Sequence, residues 1–214
     1  MKVIIFGATG MVGQGVLREC LLAEDVERVL VVGRTPTGRS HPKLTELMHA
    51  DFADLSAIEG VLGGYDACFY CLGVSAAGRD EAEYTRITHD YTLAAARPLA
   101  RLSPNLVFVY VSGAGTDAQG RAMWARVKGR TENEVLELFP NGYAFRPGII
   151  QPTYGATSKT RWYRVMYAAM APLTPVLQRL FPAYVTTSDR LGRAMLRVAR
   201  TGSAQRILTN ADLR

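Results

Sequence analysis

The sequence predicts an α/β fold, a doubly wound parallel sheet with helices on both faces and a small C-terminal lobe. Three observations predict it. Short apolar, β-branched runs recur along the chain with helically patterned stretches between them, the alternation that builds parallel sheets. The opening MKVIIFGATGMVGQG places Gly7, Gly10 and Gly13 between such a run and the helically spaced Val16, Leu17, Cys20 and Leu21. The chain has 214 residues, 48% hydrophobic and 21% charged, enough to bury a sizeable core as a single domain over 1–214.

Taken in order, strands are expected at Lys2–Phe6, Arg28–Val32, Leu44–Ala50, Asp66–Cys71, Leu106–Ser112 and Tyr143–Arg146, and helices near 11–23, 55–62, 81–102 and 121–139. Beyond the sixth strand the alternation weakens. Residues 151–190 combine Pro172 and Pro175 with Tyr154, Trp162, Tyr163, Tyr167 and Tyr184, and read as a lobe covering a substrate rather than a second domain. A returning helix at 186–199 follows, with Thr187 or Ser188 as its N-cap and Leu191, Met195 and Val198 as its apolar stripe.

Several function classes fall away. The formal charge of +6 suits an anionic ligand, but no zinc-finger spacing or arginine tract with interleaved aromatics points to nucleic acid. Cys20, Cys68 and Cys71 are too few for a secreted disulfide framework, and no metal site is expected. Cys68 and Cys71 match CxxC, yet residues three apart on a strand project to opposite faces, so buried separate thiols are expected. The apolar stretch 163–177 is broken by its prolines and flanked by Arg161, Arg164 and Arg179, which argues against a membrane span. No signal-peptide pattern precedes the first strand, so a cytoplasmic protein is expected. The expected partners are a small-molecule substrate or effector and a second copy in a homodimer.

The three glycines carry the chemistry. Without a Cβ the backbone can approach a pyrophosphate, and the helix N-terminus presents free N–H groups and the positive end of its dipole to that charge. In a doubly wound sheet the ligand lies beyond the carboxyl ends of the strands, at the switch point where strand order reverses. The second strand ends Val32-Gly33-Arg34 with no acid to accept from a ribose 2′-hydroxyl, so Arg34 predicts NADP(H) in preference to NAD(H), with NAD(H) as the other cofactor to consider.

The spacing GATGMVG, with VGR at 32–34, DF at 51–52, CLGV at 71–74, VSGAG at 111–115, WARVKGRTE at 124–132 and RPGII at 146–150, resembles the extended and atypical short-chain dehydrogenase/reductases. It is most similar to small NAD(P)-binding proteins of the NmrA-like and Tat-interacting type, often labelled epimerase-like. The resemblance covers residues 1–150 and implies a Rossmann fold. It also implies Gly7, Thr9, Gly10, Met11, Val12 and Gly13 at the pyrophosphate, Asp51 and Phe52 at the adenine, and Cys71, Leu72 and Gly73 beneath the adenine ribose. Pro147 and Ile149 would lie beside the nicotinamide, Ser112 would be the active-site serine, and Lys128 the lysine that holds the nicotinamide ribose. Read from the residues alone, Asp51 serves equally as a turn residue, and Cys71, Leu72 and Ile149 as core.

One position departs from the family pattern. Members place a tyrosine four residues before the lysine, on the same helical face, and its phenol exchanges the proton as hydride moves. This chain has Trp124 there, and an indole N–H donates a hydrogen bond without being an acid near neutrality. Two functional classes therefore stay open. One is an oxidoreductase or epimerase whose proton comes from Ser112, Tyr154, Tyr163 or His89, with Trp124 shaping the pocket. The other is a non-catalytic redox sensor or regulatory module that binds a dinucleotide.

Overall fold

The computed structural model describes residues 1–154 and 184–213. Seven strands form one parallel sheet: β1 (Lys2–Phe6), β2 (Arg28–Gly33), β3 (Leu44–Met48), β4 (Ala67–Tyr70), β5 (Val107–Val111), β6 (Gly142–Arg146) and β9 (Ile207–Thr209), in the order β3-β2-β1-β4-β5-β6-β9. Alternation of side chains along the strands splits the core into two layers. Val3, Ile5, Val29, Val31, Phe69, Val109 and Phe145 face α1 (Met11–Leu22) and α5 (Ser188–Thr201). Ile4, Phe6, Leu30, Val32, Tyr70, Phe108 and Tyr110 face α3 (Tyr91–Leu102) and α4 (Met123–Leu138). Helices thus cover both faces, and the strand order reverses between β1 and β4.

Cys68 lies in the second layer and Cys71 packs against the first, as strand alternation requires, and all three cysteines are free thiols. No helix among the described residues is long and apolar enough to cross a membrane.

Other elements differ from the sequence pattern. The helical stretch at 55–62 is one short 3-10 helix, Ser56–Val61. The stretch 81–102 is not one uniform helix: α2 (Glu81–Thr85) runs through a wide π turn at Arg86–Asp90 into α3. The third strand stops at Met48, and β9 is an additional strand too short to show a pattern. On α4 the buried residues are not only apolar: Gly129, Thr131 and Glu132 are buried beside Ala125, Val127 and Val135.

Of the lobe at 151–190, residues 155–183 lie outside the described residues, Tyr163 among them. Its two ends are described. β7 (Ile149–Gln151) pairs in parallel with β8 (Val185–Thr187), and the Thr153 hydroxyl donates to Asp189 Oδ1 at 2.8 Å. Thr187 caps α5, accepting from Arg190 N.

α1 and α5 touch backbone to backbone. A Cβ on Gly15 would fall 2.6 Å from Ser188 Cβ and 2.7 Å from its carbonyl, and one on Gly192 would fall 3.0 Å from Glu19 Cγ. Gly15→Val should therefore push the two helices apart and lower unfolding stability by about 1–3 kcal/mol, measured by urea denaturation. Unchanged stability would mean that the contact is not tight in solution.

Candidate functional site

The glycine turn fills the switch point. Gly7 has a φ of +79°, and a Cβ there would fall 2.6 Å from the backbone nitrogen of Leu72. A Cβ on Gly13 would fall 2.1 Å from the Gly7 carbonyl oxygen. Only glycine at both positions lets α1 start directly above β1 and against the end of β4. Gly10 is the N-cap of α1 and offers no side-chain cap, so the amides of Met11, Val12 and Gly13 stay available for an anion. This cradle, which any side chain would fill, fits a dinucleotide pyrophosphate.

Beside it Ala8, Thr9, Gln14, Thr35, Pro36, Thr37, Gly38 and Arg39 line an open cleft of about 450 Å³. Gln14 Nε2 donates to the Thr9 carbonyl at 3.0 Å, and Thr37 N donates to Glu46 Oε1 at 2.8 Å, fixing the walls. Arg34 is exposed next to this cleft, after the end of β2, and Arg39 forms part of its wall. Arg39 is a residue the sequence reading missed; it lies in a loop with no periodic signal.

At the end of β3, Asp51 Oδ1 accepts from Ala53 N at 2.9 Å, so the turn role is real, although the carboxylate remains exposed. Phe52 is buried, packed edge-on to Phe6 and near Tyr91, so its ring is core and only its backbone can face an adenine. Cys71 and Leu72 are half-buried beneath the glycine turn, and Gly73 is exposed. Burial pushes the Cys71 thiol well up, which leaves it inert.

The second half of the site gathers at the end of β5. Ser112 N donates to the Phe145 carbonyl at 2.8 Å, and Ala114 N to the Pro147 carbonyl at 2.9 Å, which draws the buried Pro147 alongside. Ile149 is 46% exposed, free to meet a ligand. The Ser112 hydroxyl is hydrogen-bonded to that of Thr116 at 2.9 Å, both buried. Gly129 allows this loop to lie on α4, since a Cβ there would fall 2.3 Å from Ala118 N. The Trp124 ring lies against Gly115, whose hypothetical Cβ would be 3.3 Å from Trp124 Cη2.

One turn on from Trp124, Lys128 Nζ donates to the Val111 carbonyl at 3.4 Å and stands 5.6 Å from the Tyr110 ring centre. Burial pushes its ammonium down to about 8, against a smaller opposing pull from Glu132. Glu132 is 1% exposed and takes a bidentate bond from Arg146 at 2.6 to 3.1 Å. This pair was not foreseen as part of the site; a charged residue on a buried helix face is invisible to hydrophobic periodicity.

Two of the four proton donors weighed from the sequence are placed away from this point. His89 is held between Asp90 Oδ1 at 2.8 Å and Glu134 Oε1 at 2.7 Å, where the π turn meets α4. Tyr154, 65% exposed, lies under the Arg18 guanidinium, 3.6 Å from its ring centre, on the α1 side. Among the described residues no cluster of His, Cys, Asp or Glu could hold a metal ion.

A glycine-lined turn at the switch point of a parallel sheet, with a serine and a lysine at the end of β5, defines the dinucleotide-binding α/β proteins of the short-chain dehydrogenase/reductase type. The model of the NAD dependent epimerase/dehydratase family matches residues 3–126, more than half of the chain, and the chain belongs to that family. Among curated proteins it is similar to Protein HTATIP2 of Rattus norvegicus, 29% identical over 152 residues, which are 70% of this chain and 62% of that protein. It is also similar to Protein fmp52-1, mitochondrial, of Aspergillus oryzae, 32% identical over 154 residues, 68% of this chain and 64% of that protein. Both matches span less than two thirds of the relative's length.

Among solved structures, the enzyme WbmF of Bordetella bronchiseptica in complex with NAD+ superposes with a TM-score of 0.70 at 15% identity, covering 99% of this chain and 76% of that one. A UDP-N-acetylglucosamine 4-epimerase from Methanobrevibacter ruminantium M1 gives 0.70 at 15% identity, over 97% and 74%. At that identity the likeness is one of fold.

Lys128 also leaves a thermodynamic signature. Its folded value is lowered while the unfolded chain keeps about 10.4, so between the two the unfolded state binds more protons and stability rises with pH. Urea unfolding of the parent and Lys128→Met should show the parent gaining on the variant from about pH 8 to about pH 10. A constant difference would mean that Lys128 titrates as an exposed lysine.

Proposed function

We propose that this chain binds NADP(H) and works as an oxidoreductase or epimerase of the atypical short-chain type on a small carbonyl or alcohol substrate. The observation that carries this reading is the convergence of Ser112, Lys128 and Pro147 on the end of β5, facing the same sheet edge as the glycine turn. When bound, the dinucleotide supplies or accepts hydride. The chain's own residues do the rest. The α1 amides bind the pyrophosphate, Lys128 binds ribose hydroxyls, and Ser112, braced by Thr116, offers a hydroxyl to the substrate oxygen. Trp124 closes the pocket wall against Gly115.

Arg34, exposed after the end of β2, and Arg39 in the cleft wall support NADP(H), because a guanidinium meets a 2′-phosphate with two parallel donors. The neighbour WbmF is described with NAD+, which makes the preference worth measuring. Fluorescence titration should give tighter binding of NADPH than of NADH, and Arg34→Ala should erase most of the difference. Equal affinities in the parent would overturn the NADP(H) assignment.

A second reading rests on Trp124: a dinucleotide-binding module in which the missing phenol marks the loss of chemistry. Steady-state NADPH oxidation over aldehydes, ketones and quinones separates the two. On the enzyme reading the parent turns over, and Trp124→Tyr raises the rate by up to about 10²-fold. Silence in both favours the module. Free thiols at all three cysteines support a reducing compartment, the cytoplasm in our reading, although the fungal relative is named mitochondrial.

A further inference from the structure

A reductase of this type must protonate the oxygen whose carbon receives hydride, and position 124 cannot do it. His89 is pinned by two carboxylates, and Tyr154 lies under Arg18. Ser112 is an alcohol bonded to another alcohol, far too weak an acid to give up a proton near neutrality.

Lys128 meets the geometric requirement. It follows Trp124 by one helical turn and so shares its face. Its Nζ reaches the carbonyl of Val111, the residue that precedes Ser112, which brings the ammonium to the end of β5 from which Ser112 follows. Only one of its three N–H donors is directed to that carbonyl, at a long 3.4 Å. The charged and titratable groups around it also suit the task. Glu132, one turn further on α4, is bonded to Arg146 from β6, and its pull toward the protonated ammonium is smaller than the opposing effect of burial. β5 contributes the Tyr110 ring, with Tyr84 of α2 close to Tyr110, while His89 and Glu134 pair with each other further along α4.

Building on the oxidoreductase reading above, we propose that Lys128 is itself the general acid, a catalytic residue that donates its proton to the substrate oxygen in place of the absent phenol. As hydride brings an electron pair to the carbonyl carbon, the π pair moves to oxygen, and oxygen bonds a proton from Nζ. The N–H pair remains on nitrogen, and the neutral amine regains a proton from water. In the oxidative direction the neutral amine takes the proton from the alcohol. A lowered ammonium pKa supports this role, since a useful acid titrates near the working pH.

Three measurements test it. Competitive labelling with acetic anhydride from about pH 6 to about pH 11, read by mass spectrometry without cofactor, should half-titrate Lys128 at about 8, well below the reference lysine value of about 10.4. Lys128→Arg keeps the charge but cannot release a proton. It should bind NADPH within about tenfold of the parent by fluorescence, yet lose about 10²-fold or more in kcat. Lys128→Ala at saturating NADPH should regain turnover with added alkylammonium ions, in the order of their acidity, and not with guanidinium or sodium. Labelling of Lys128 in step with the other lysines, an arginine variant at the parent's kcat, or rescue by guanidinium would overturn the proposal and leave the oxidoreductase reading standing. A parent that binds NADPH but oxidises it with no acceptor would overturn that reading, and the general acid with it.

Discussion

Everything in this molecule depends on how closely α1 can approach the ends of β1 and β4. The Gly7 carbonyl occupies space that any side chain at position 13 would claim, and Gly7 itself presses on the peptide at Leu72 in a left-handed conformation. With those two positions bare, the helix begins within a turn of the strand it follows. Its unsatisfied amides then point over the switch point rather than beside it. Each neighbouring part inherits its place from this approach: the Cys71–Leu72 floor, the cleft bounded by Thr9 and Gln14, and the seat of α5 against α1.

The other half of the site is organised by a buried ion pair. Arg146 leaves the end of β6 and clasps Glu132 on α4 with two parallel bonds, fixing the helix relative to the sheet. Removing one partner would strand a charge in the core, which costs far more than an exposed pair contributes. Glu132 still pulls the Lys128 ammonium toward its protonated form, but by less than burial opposes it. Desolvation therefore dominates, and the ammonium becomes easier to deprotonate.

The sheet, its order of strands and helices, and the glycine turn were legible in the sequence, because they rest on local periodicity and on the steric need for glycine. Ser112, Lys128 and Pro147 were named as candidates through resemblance, and the structure places them near the end of β5. What escaped has physical reasons. The π turn at Arg86–Asp90 adds a residue to a helical turn without breaking the apolar pattern on either side. β9 is three residues long, below the length at which alternation can be read. Asp51 carried two readings because a turn-forming aspartate and a ligand-facing one have the same sequence signature; the structure shows its carboxylate bonded within its own turn and still exposed. The Glu132–Arg146 pair joins residues from different elements, and nothing local announces it.

The contact of Gly15 with Ser188 ties the beginning of the chain to its end. The same seam holds the Arg193–Glu19 ion pair, which joins residues 174 positions apart. One face of the first strands is thus sealed by a helix made long after them, its Arg193 lying 174 positions beyond Glu19. Until α5 arrives, Val16, Leu17 and Cys20 have no outer cover where that helix packs. Nascent chains carrying only the glycine turn and the early strands would expose an apolar surface, so this face of the sheet closes only once α5 has been made. A cut anywhere between α1 and α5 would divide this seam between two pieces.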